Sequence, residues 1–70
     1  MKSLQINGQT RQFLPQEMPA TLSALLETLG IGAATVVAEV DGTIVRPEEF
    51  ARTEVREGQI IELIKFMGGG

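Results

Sequence analysis

The residues whose chemistry stands out are three consecutive glycines, Gly68, Gly69 and Gly70, that close the 70-residue sequence. Glycine orders a chain poorly and has no side chain to pack, so this ending adds little to the stability of a domain. Three extended residues reach about 10 Å, at about 3.3–3.6 Å each, which is enough to enter a narrow pocket on another protein. We therefore expect a folded domain at residues 1–67 and a flexible arm at residues 68–70 that presents an α-carboxylate.

The composition excludes most catalytic chemistry within this chain. The sequence contains neither cysteine nor histidine, so thiolate chemistry, imidazole acid–base catalysis and a zinc site of the usual kind are not possible. We predict that the protein is not an enzyme, binds no metal and holds no cofactor. Its net charge of −3 argues against binding to a nucleic-acid backbone, which requires a basic patch.

The chain shows no sign of a membrane or export segment. No stretch approaches the length of a membrane span, and the N-terminus, Met1-Lys2-Ser3-Leu4, becomes polar at once, unlike a signal peptide. We expect a cytoplasmic protein with no membrane partner.

The first half predicts a hairpin and a helix. Leu4 and Ile6 alternate with polar residues, as in a half-buried strand, and Asn7-Gly8 favours a tight turn into a second strand over Gln9 to Leu14. Four leucines then share one helical face, with Thr21 as the N-cap and Gly30 at the C-terminus. They are Leu22, Leu25, Leu26 and Leu29.

The second half predicts a second pair of strands and a short helical turn. Val36, Ala38 and Val40 alternate as a strand, and Asp41-Gly42 turns the chain into a strand at residues 43–45. The following Pro47 favours a one-turn helix at residues 46–50. Phe50 and Val55 are expected to close the core, and Glu57-Gly58 to lead into the last strand.

The last strand leads directly to the glycines. If Ile61 and Leu63 face the core, then Ile64 and Phe66 share the outer face and could form a docking patch for a partner, together with Met67. The doublet Ile60-Ile61 also permits the opposite register, in which the two faces exchange.

Several stretches resemble the ThiS family, the sulfur-carrier proteins of thiamine biosynthesis. They are the first strand ending in Asn7, the leucine-faced helix, Val37 to Val45, the element at residues 46–50, Glu57-Gly58, and Phe66 to Gly70. The amphipathic patterns alone predict a helix layered on a sheet. The resemblance implies the strand order of an α+β fold of the β-grasp (ubiquitin-like) type, a mixed sheet of about five strands with one main helix across it and a short helical turn.

The resemblance also implies the function. A separate ThiF-like adenylyltransferase would use ATP to adenylate the carboxylate of Gly70, and a sulfur donor protein would then convert it to a thiocarboxylate. Gly68 and Gly69 would thread the terminus into the enzyme, and the sulfur would pass to a ThiG-like thiazole synthase. Three alternatives are a MoaD-like carrier that forms the small subunit of molybdopterin synthase, a ubiquitin-like protein modifier, and an interaction module with an inert tail.

Overall fold

The computed structural model describes residues 1–65, and these residues form a mixed five-stranded sheet with one α-helix. The strands are β1 (Lys2–Ile6), β2 (Gln9–Phe13), β3 (Val36–Val40), β4 (Thr43–Val45) and β5 (Ile60–Lys65), and the helix is α1 (Leu22–Leu29). Three 3-10 helices lie at Pro15–Glu17, Ala33–Thr35 and Pro47–Arg52. The predicted domain boundary at residue 67 lies outside the described residues.

The sheet has the order β2-β1-β5-β3-β4, which places the first and last strands side by side. β1 and β5 are parallel, whereas the other three neighbouring pairs are antiparallel. The predicted β-grasp arrangement is confirmed. The strand that precedes the glycines is therefore the central strand of the sheet.

Two glycine-containing turns set the strand pairing. Asn7 and Gly8 adopt φ values of 51° and 82°, and Asp41 and Gly42 adopt 51° and 85°. Positive φ at both central residues is the requirement of the hairpin turn that matches the twist of the flanking strands. Both predicted hairpins are confirmed, although the second strand ends at Phe13, one residue before the predicted end at Leu14.

The helix begins and ends where its sequence predicts. The Thr21 side chain accepts a hydrogen bond from the Ala24 N–H at 3.1 Å. At the other end Gly30 has φ 72°, and the Ile31 N–H donates to the Leu26 carbonyl at 2.9 Å. These contacts satisfy backbone groups that a helix end otherwise leaves without partners.

The core lies between α1 and one face of the sheet. Leu22, Leu25 and Leu26 are buried, whereas Leu29 is half-buried at the edge. The 3-10 helix at Pro47–Arg52 inserts Phe50, which is 1% exposed. The connection between β2 and α1 contains the 3-10 helix at Pro15–Glu17, because Pro15 favours the first position of a helical turn. All buried residues within 1–65 are apolar.

Candidate functional site

The strand β5 carries the chain toward the glycine terminus, and it is paired on both sides. Its first residues pair with β1 through Gln5–Ile60 and Ile6–Ile61. On the other side it pairs with β3 over residues 61–65, from Val40–Ile61 to Val36–Lys65. Ile64, the docking candidate within the described residues, is thus held by a central strand and not by a loop.

The turn residue Asn7 extends the pairing of β5 beyond the end of β1. Its side-chain Oδ1 accepts a hydrogen bond from the Leu63 N–H at 2.7 Å, and its Nδ2 donates to the Leu63 carbonyl at 3.3 Å. The backbone N–H of Asn7 also donates to the Ile61 carbonyl at 2.9 Å. A carboxamide offers both a donor and an acceptor, as a peptide group does. Asn7 therefore acts as one more residue of the β1 ladder.

Asp41 holds the other end of the same strand. Its Oδ1 accepts a hydrogen bond from the Ile60 N–H at 2.9 Å, and its own N–H donates to the Ile60 carbonyl at 2.8 Å. From the sequence alone, Asn7 and Asp41 are predicted only to form turns. The sequence carries no separate signal for this second role, because Asn-Gly and Asp-Gly are already the preferred residues of such a turn.

The register of β5 is the one in which Ile61 and Leu63 face the core. These residues are 0% and 8% exposed, whereas Ile64 is 53% exposed. The alternative register from the Ile60-Ile61 doublet is therefore excluded, and Ile60 lies outside with 50% exposure. Of the docking candidates, Ile64 is placed on the open face as predicted. Phe66 and Met67 lie outside the described residues, as do Gly68, Gly69 and Gly70.

The open face of the sheet carries more apolar surface than the sequence analysis identified. Ile44 of β4 is 63% exposed. It pairs with Glu39 of β3, and Glu39 pairs with Glu62 of β5. Because paired residues lie on the same face of a sheet, Ile44 is on the open face with Glu62. Val37 of β3 pairs with Ile64 and is half-buried. We call Val37, Ile44, Ile60 and Ile64 the outer apolar patch. The helix covers the opposite side of the sheet, so the patch is open to a partner.

Residues 1–65 contain a groove but no cluster of metal-binding side chains. Within residues 1–65 no three carboxylate, imidazole or thiol side chains come together as a metal site would require. A groove of about 210 Å³ lies beside Asn7, Arg11 and Ile31. No helix in this part of the chain is long and apolar enough to cross a membrane. The arrangement can bind a partner and position the chain that follows Lys65.

The sequence of the chain matches the model of a known protein family. The model of the ThiS family matches residues 4–70. The chain belongs to the ThiS family. The matched range includes the three glycines Gly68 to Gly70. Sulfur-carrier proteins of thiamine biosynthesis form this family, and a β-grasp carrier fits the fold observed in residues 1–65.

Two solved structures resemble this ThiS family member closely. The crystal structure of the thiamine biosynthesis protein ThiS from Geobacter metallireducens is 32% identical, with a TM-score of 0.81, and the match covers 97% of this chain and 99% of that one. The solution NMR structure of a thiamine biosynthesis protein from the same organism is 30% identical, with a TM-score of 0.77 over 97% and 87% of the two chains.

A curated relative is considerably longer. The thiazole synthase of Paramagnetospirillum magneticum is 36% identical over 67 residues, which cover 96% of this chain but 20% of that protein. The ThiS family member therefore spans about a fifth of the length of the relative it matches. The remaining four-fifths of that synthase have no counterpart in the 70 residues.

Proposed function

We propose that this ThiS family member carries sulfur as a thiocarboxylate on Gly70 and delivers it for formation of the thiazole ring of thiamine. The observation that supports this most directly is the family match through residue 70, together with a scaffold whose central strand leads to the terminal glycines. The reactions then take place at Gly70, and the partner proteins bind the sheet.

The terminal carboxylate requires activation from outside the chain. An α-carboxyl group has a pKa of about 3.3–3.7, so it is an anion at neutral pH and a poor electrophile. We propose that a ThiF-like adenylyltransferase lets this carboxylate attack the α-phosphorus of ATP, which expels pyrophosphate and forms an acyl adenylate. The Gly70 carboxylate is the nucleophile of this step, and the activating enzyme supplies the nucleotide and the site that binds it.

Sulfur then replaces the adenylate. A sulfur nucleophile held by a donor protein attacks the activated carbonyl of Gly70 and expels AMP. When that nucleophile is the outer sulfur of a donor persulfide, the product is an acyl disulfide between the donor and Gly70. A second thiol, supplied by a partner protein, then attacks the donor sulfur, forms a disulfide with it and releases the thiocarboxylate. Glycine suits both steps because it has no Cβ beside the carbonyl that is attacked. Gly69 and Gly68 have equally little bulk, which favours passage through a narrow channel to the nucleotide.

Two protein partners follow from this chemistry. The activating enzyme is proposed to dock against Ile64 of the described structure and against Phe66 and Met67 beyond it. The second partner is a ThiG-like thiazole synthase, since a protein of that name contains a segment 36% identical to this chain. ATP is used by the activating enzyme, and the carrier itself holds no cofactor.

The experiment that tests the carrier function measures intact mass. The protein is incubated with a ThiF-like adenylyltransferase, ATP and a sulfur donor, and we expect a mass gain equal to the replacement of one oxygen atom by sulfur. Deletion of Gly70 should abolish the gain and leave the melting temperature unchanged. The matched control is Gly32→Ala, because a Cβ there meets only Thr35 atoms at 3.8 Å, an ordinary contact.

Three outcomes of this assay contradict the proposal. Isopeptide-linked adducts on other proteins, without the sulfur gain, would identify a protein modifier. No change, with an adenylyltransferase that is active on another carrier, would identify an inert tail. A thiocarboxylate that is accepted by a molybdopterin synthase large subunit but not by a thiazole synthase would place the carrier in the MoaD-like class.

A further inference from the structure

The open face of the sheet holds two carboxylates side by side at its centre. Glu39 of β3 and Glu62 of β5 are directly paired across the antiparallel ladder. Both lie on the outer side, since the neighbouring pair Ala38 and Leu63 is buried. Like charges directly opposite each other on adjacent strands destabilise a sheet. The isolated protein therefore keeps an arrangement that lowers its own stability.

Neither glutamate forms an ion pair with a lysine or arginine of residues 1–65. All six lysines and arginines fall within residues 1–65, and in that range the single ion pair joins Arg56 to Glu54. Arg46, which follows β4 on the side of Ile44, forms no ion pair with either glutamate. The third carboxylate nearby, that of Asp41, already accepts a hydrogen bond from Ile60.

The two glutamates are framed by the outer apolar patch. Ile60 and Ile64 lie on either side of Glu62 along β5, and Ile44 lies beyond Glu39 on β4. A partner that covers these isoleucines also removes water from the carboxylates between them. Burial of a charge is costly unless a counter-charge with hydrogen-bond donors accompanies it. The partner must therefore bring a cation to this point.

We infer that the Glu39–Glu62 pair receives an arginine of the activating enzyme, and that the outer apolar patch seats the surface around it. The inference rests on the proposed function and adds the chemistry of its partner. Arginine fits better than lysine because its planar guanidinium presents five N–H donors, enough to serve two carboxylates at once. The apolar patch supplies contact area, and the charge pair determines which basic surface is accepted.

The test compares the affinities of glutamate variants for a ThiF-like adenylyltransferase by isothermal titration calorimetry. We expect Glu39→Gln and Glu62→Gln each to raise the Kd about tenfold, and Glu62→Lys to raise it about a hundredfold. The matched control is Glu27→Gln, on the exposed side of α1 and away from the sheet face. Its Kd should stay within about twofold of the wild-type value, because an exposed charge outside an interface contributes little to affinity.

A second measurement separates lost binding from lost folding. Removal of one like charge should raise the melting temperature of Glu62→Gln by about 2 °C. Weaker binding by a more stable protein cannot come from unfolding. Kd values for both glutamine variants within about twofold of wild type would overturn the inference, and so would an equal loss of affinity in Glu27→Gln, which would indicate a general charge effect.

The two proposals fail separately. Glu27→Gln, which lies outside the proposed contact, should gain the sulfur mass as the wild-type protein does, because Gly70 is intact. If the wild-type protein gains no sulfur, the carrier function is wrong, and the Kd values still decide whether the glutamate pair binds the enzyme. If the sulfur gain occurs and the glutamine variants bind normally, the carrier function stands and the arginine contact is wrong.

Discussion

Single residues at the two hairpin turns stabilise a strand that is distant from them in sequence. Asn7 contacts Leu63, which lies 56 positions later, and Asp41 contacts Ile60, which lies 19 positions later. Each residue accepts a positive φ and in addition uses its short polar side chain to hold the backbone of β5. The consequence is that the path of the chain toward the glycines is fixed by residues outside the strand itself.

The contribution of Asn7 can be measured with two variants. Asn7→Ala removes both side-chain hydrogen bonds, each worth about 0.5–1.5 kcal/mol, and places a Cβ without polar compensation at φ 51°. We expect the free energy of unfolding in urea to fall by about 3 kcal/mol for alanine and by about 2 kcal/mol for Asn7→Gly, because glycine keeps only the turn.

Hydrogen exchange gives a direct reading of the same contact. The Leu63 N–H, which donates to Asn7 at 2.7 Å, should exchange faster in both variants than in the wild-type protein. Unchanged exchange at Leu63, with unchanged stability, would show that the side chain contributes nothing to holding β5.

At the scale of elements, the two faces of β5 have different tasks. One face enters the core beneath α1, and the other contributes Ile60, Glu62 and Ile64 to the open side of the sheet. Because successive residues of a strand alternate between faces, a single register decides which residues stabilise the fold and which can contact a partner.

Alanine substitutions at the isoleucine doublet test this register. Ile61 is fully buried and Ile60 is 50% exposed, so the two residues differ in burial but not in chemistry. Ile61→Ala should lower the free energy of unfolding by about 2–5 kcal/mol, as for other buried large-to-small changes. Ile60→Ala should cost less than about 1 kcal/mol, since most of its surface is already in water. Equal losses in chemical denaturation would contradict the register.

A charged substitution on the open face tests docking. Ile64→Asp should weaken binding to the activating enzyme by about tenfold or more, because it buries an unpaired carboxylate in the complex. The circular dichroism spectrum should not change, since Ile64 is 53% exposed. We expect the same result for Phe66→Asp. Leu14→Asp is the control, because Leu14 is exposed and follows the edge strand β2, which lies two strands away from β5. Normal binding by both test variants would exclude the patch as the docking surface.

Much of this architecture follows from local sequence patterns, and some of it does not. The Asn-Gly and Asp-Gly turns, the cap at Thr21 and the leucine face of α1 are all properties of a few neighbouring residues. The register of β5 is not, because Ile60 and Ile61 suit either face, and only packing against α1 decides between them. Ile44 was missed as a surface residue because its position depends on pairing with Glu39 and, beyond it, Glu62.

At the scale of the whole molecule, the small size of the domain limits its stability. Native proteins are stable by about 0.05–0.15 kcal/mol per residue, which gives about 4–10 kcal/mol for a chain of this length. The core contains thirteen buried apolar residues within residues 1–65. A single large cavity in that core therefore removes a considerable part of the total stability.

A substitution at Phe50 tests how much stability the protein loses when a cavity is made in its core. It is 1% exposed and belongs to a 3-10 helix, not to the open face. Phe50→Ala should lower the free energy of unfolding by about 3–5 kcal/mol. Sulfur loading in the mass assay should then fall at elevated temperature as the unfolded fraction grows. The neighbouring, exposed Glu49→Ala should stay within about 0.5 kcal/mol of wild type. Full loading by Phe50→Ala above its melting temperature would show that the enzyme recognises the glycines without the fold.

The central position of β5 also has a mechanical consequence. A pull on the chain beyond Lys65, along the strand axis, loads the hydrogen bonds to β1 and β3 in shear, so that many bonds resist together instead of opening one after another. The two contacts to Asn7 add to this resistance near the point where the load enters. If an activating enzyme draws the terminus into a channel, we expect the sheet to bear the tension while the rest of the carrier keeps its shape.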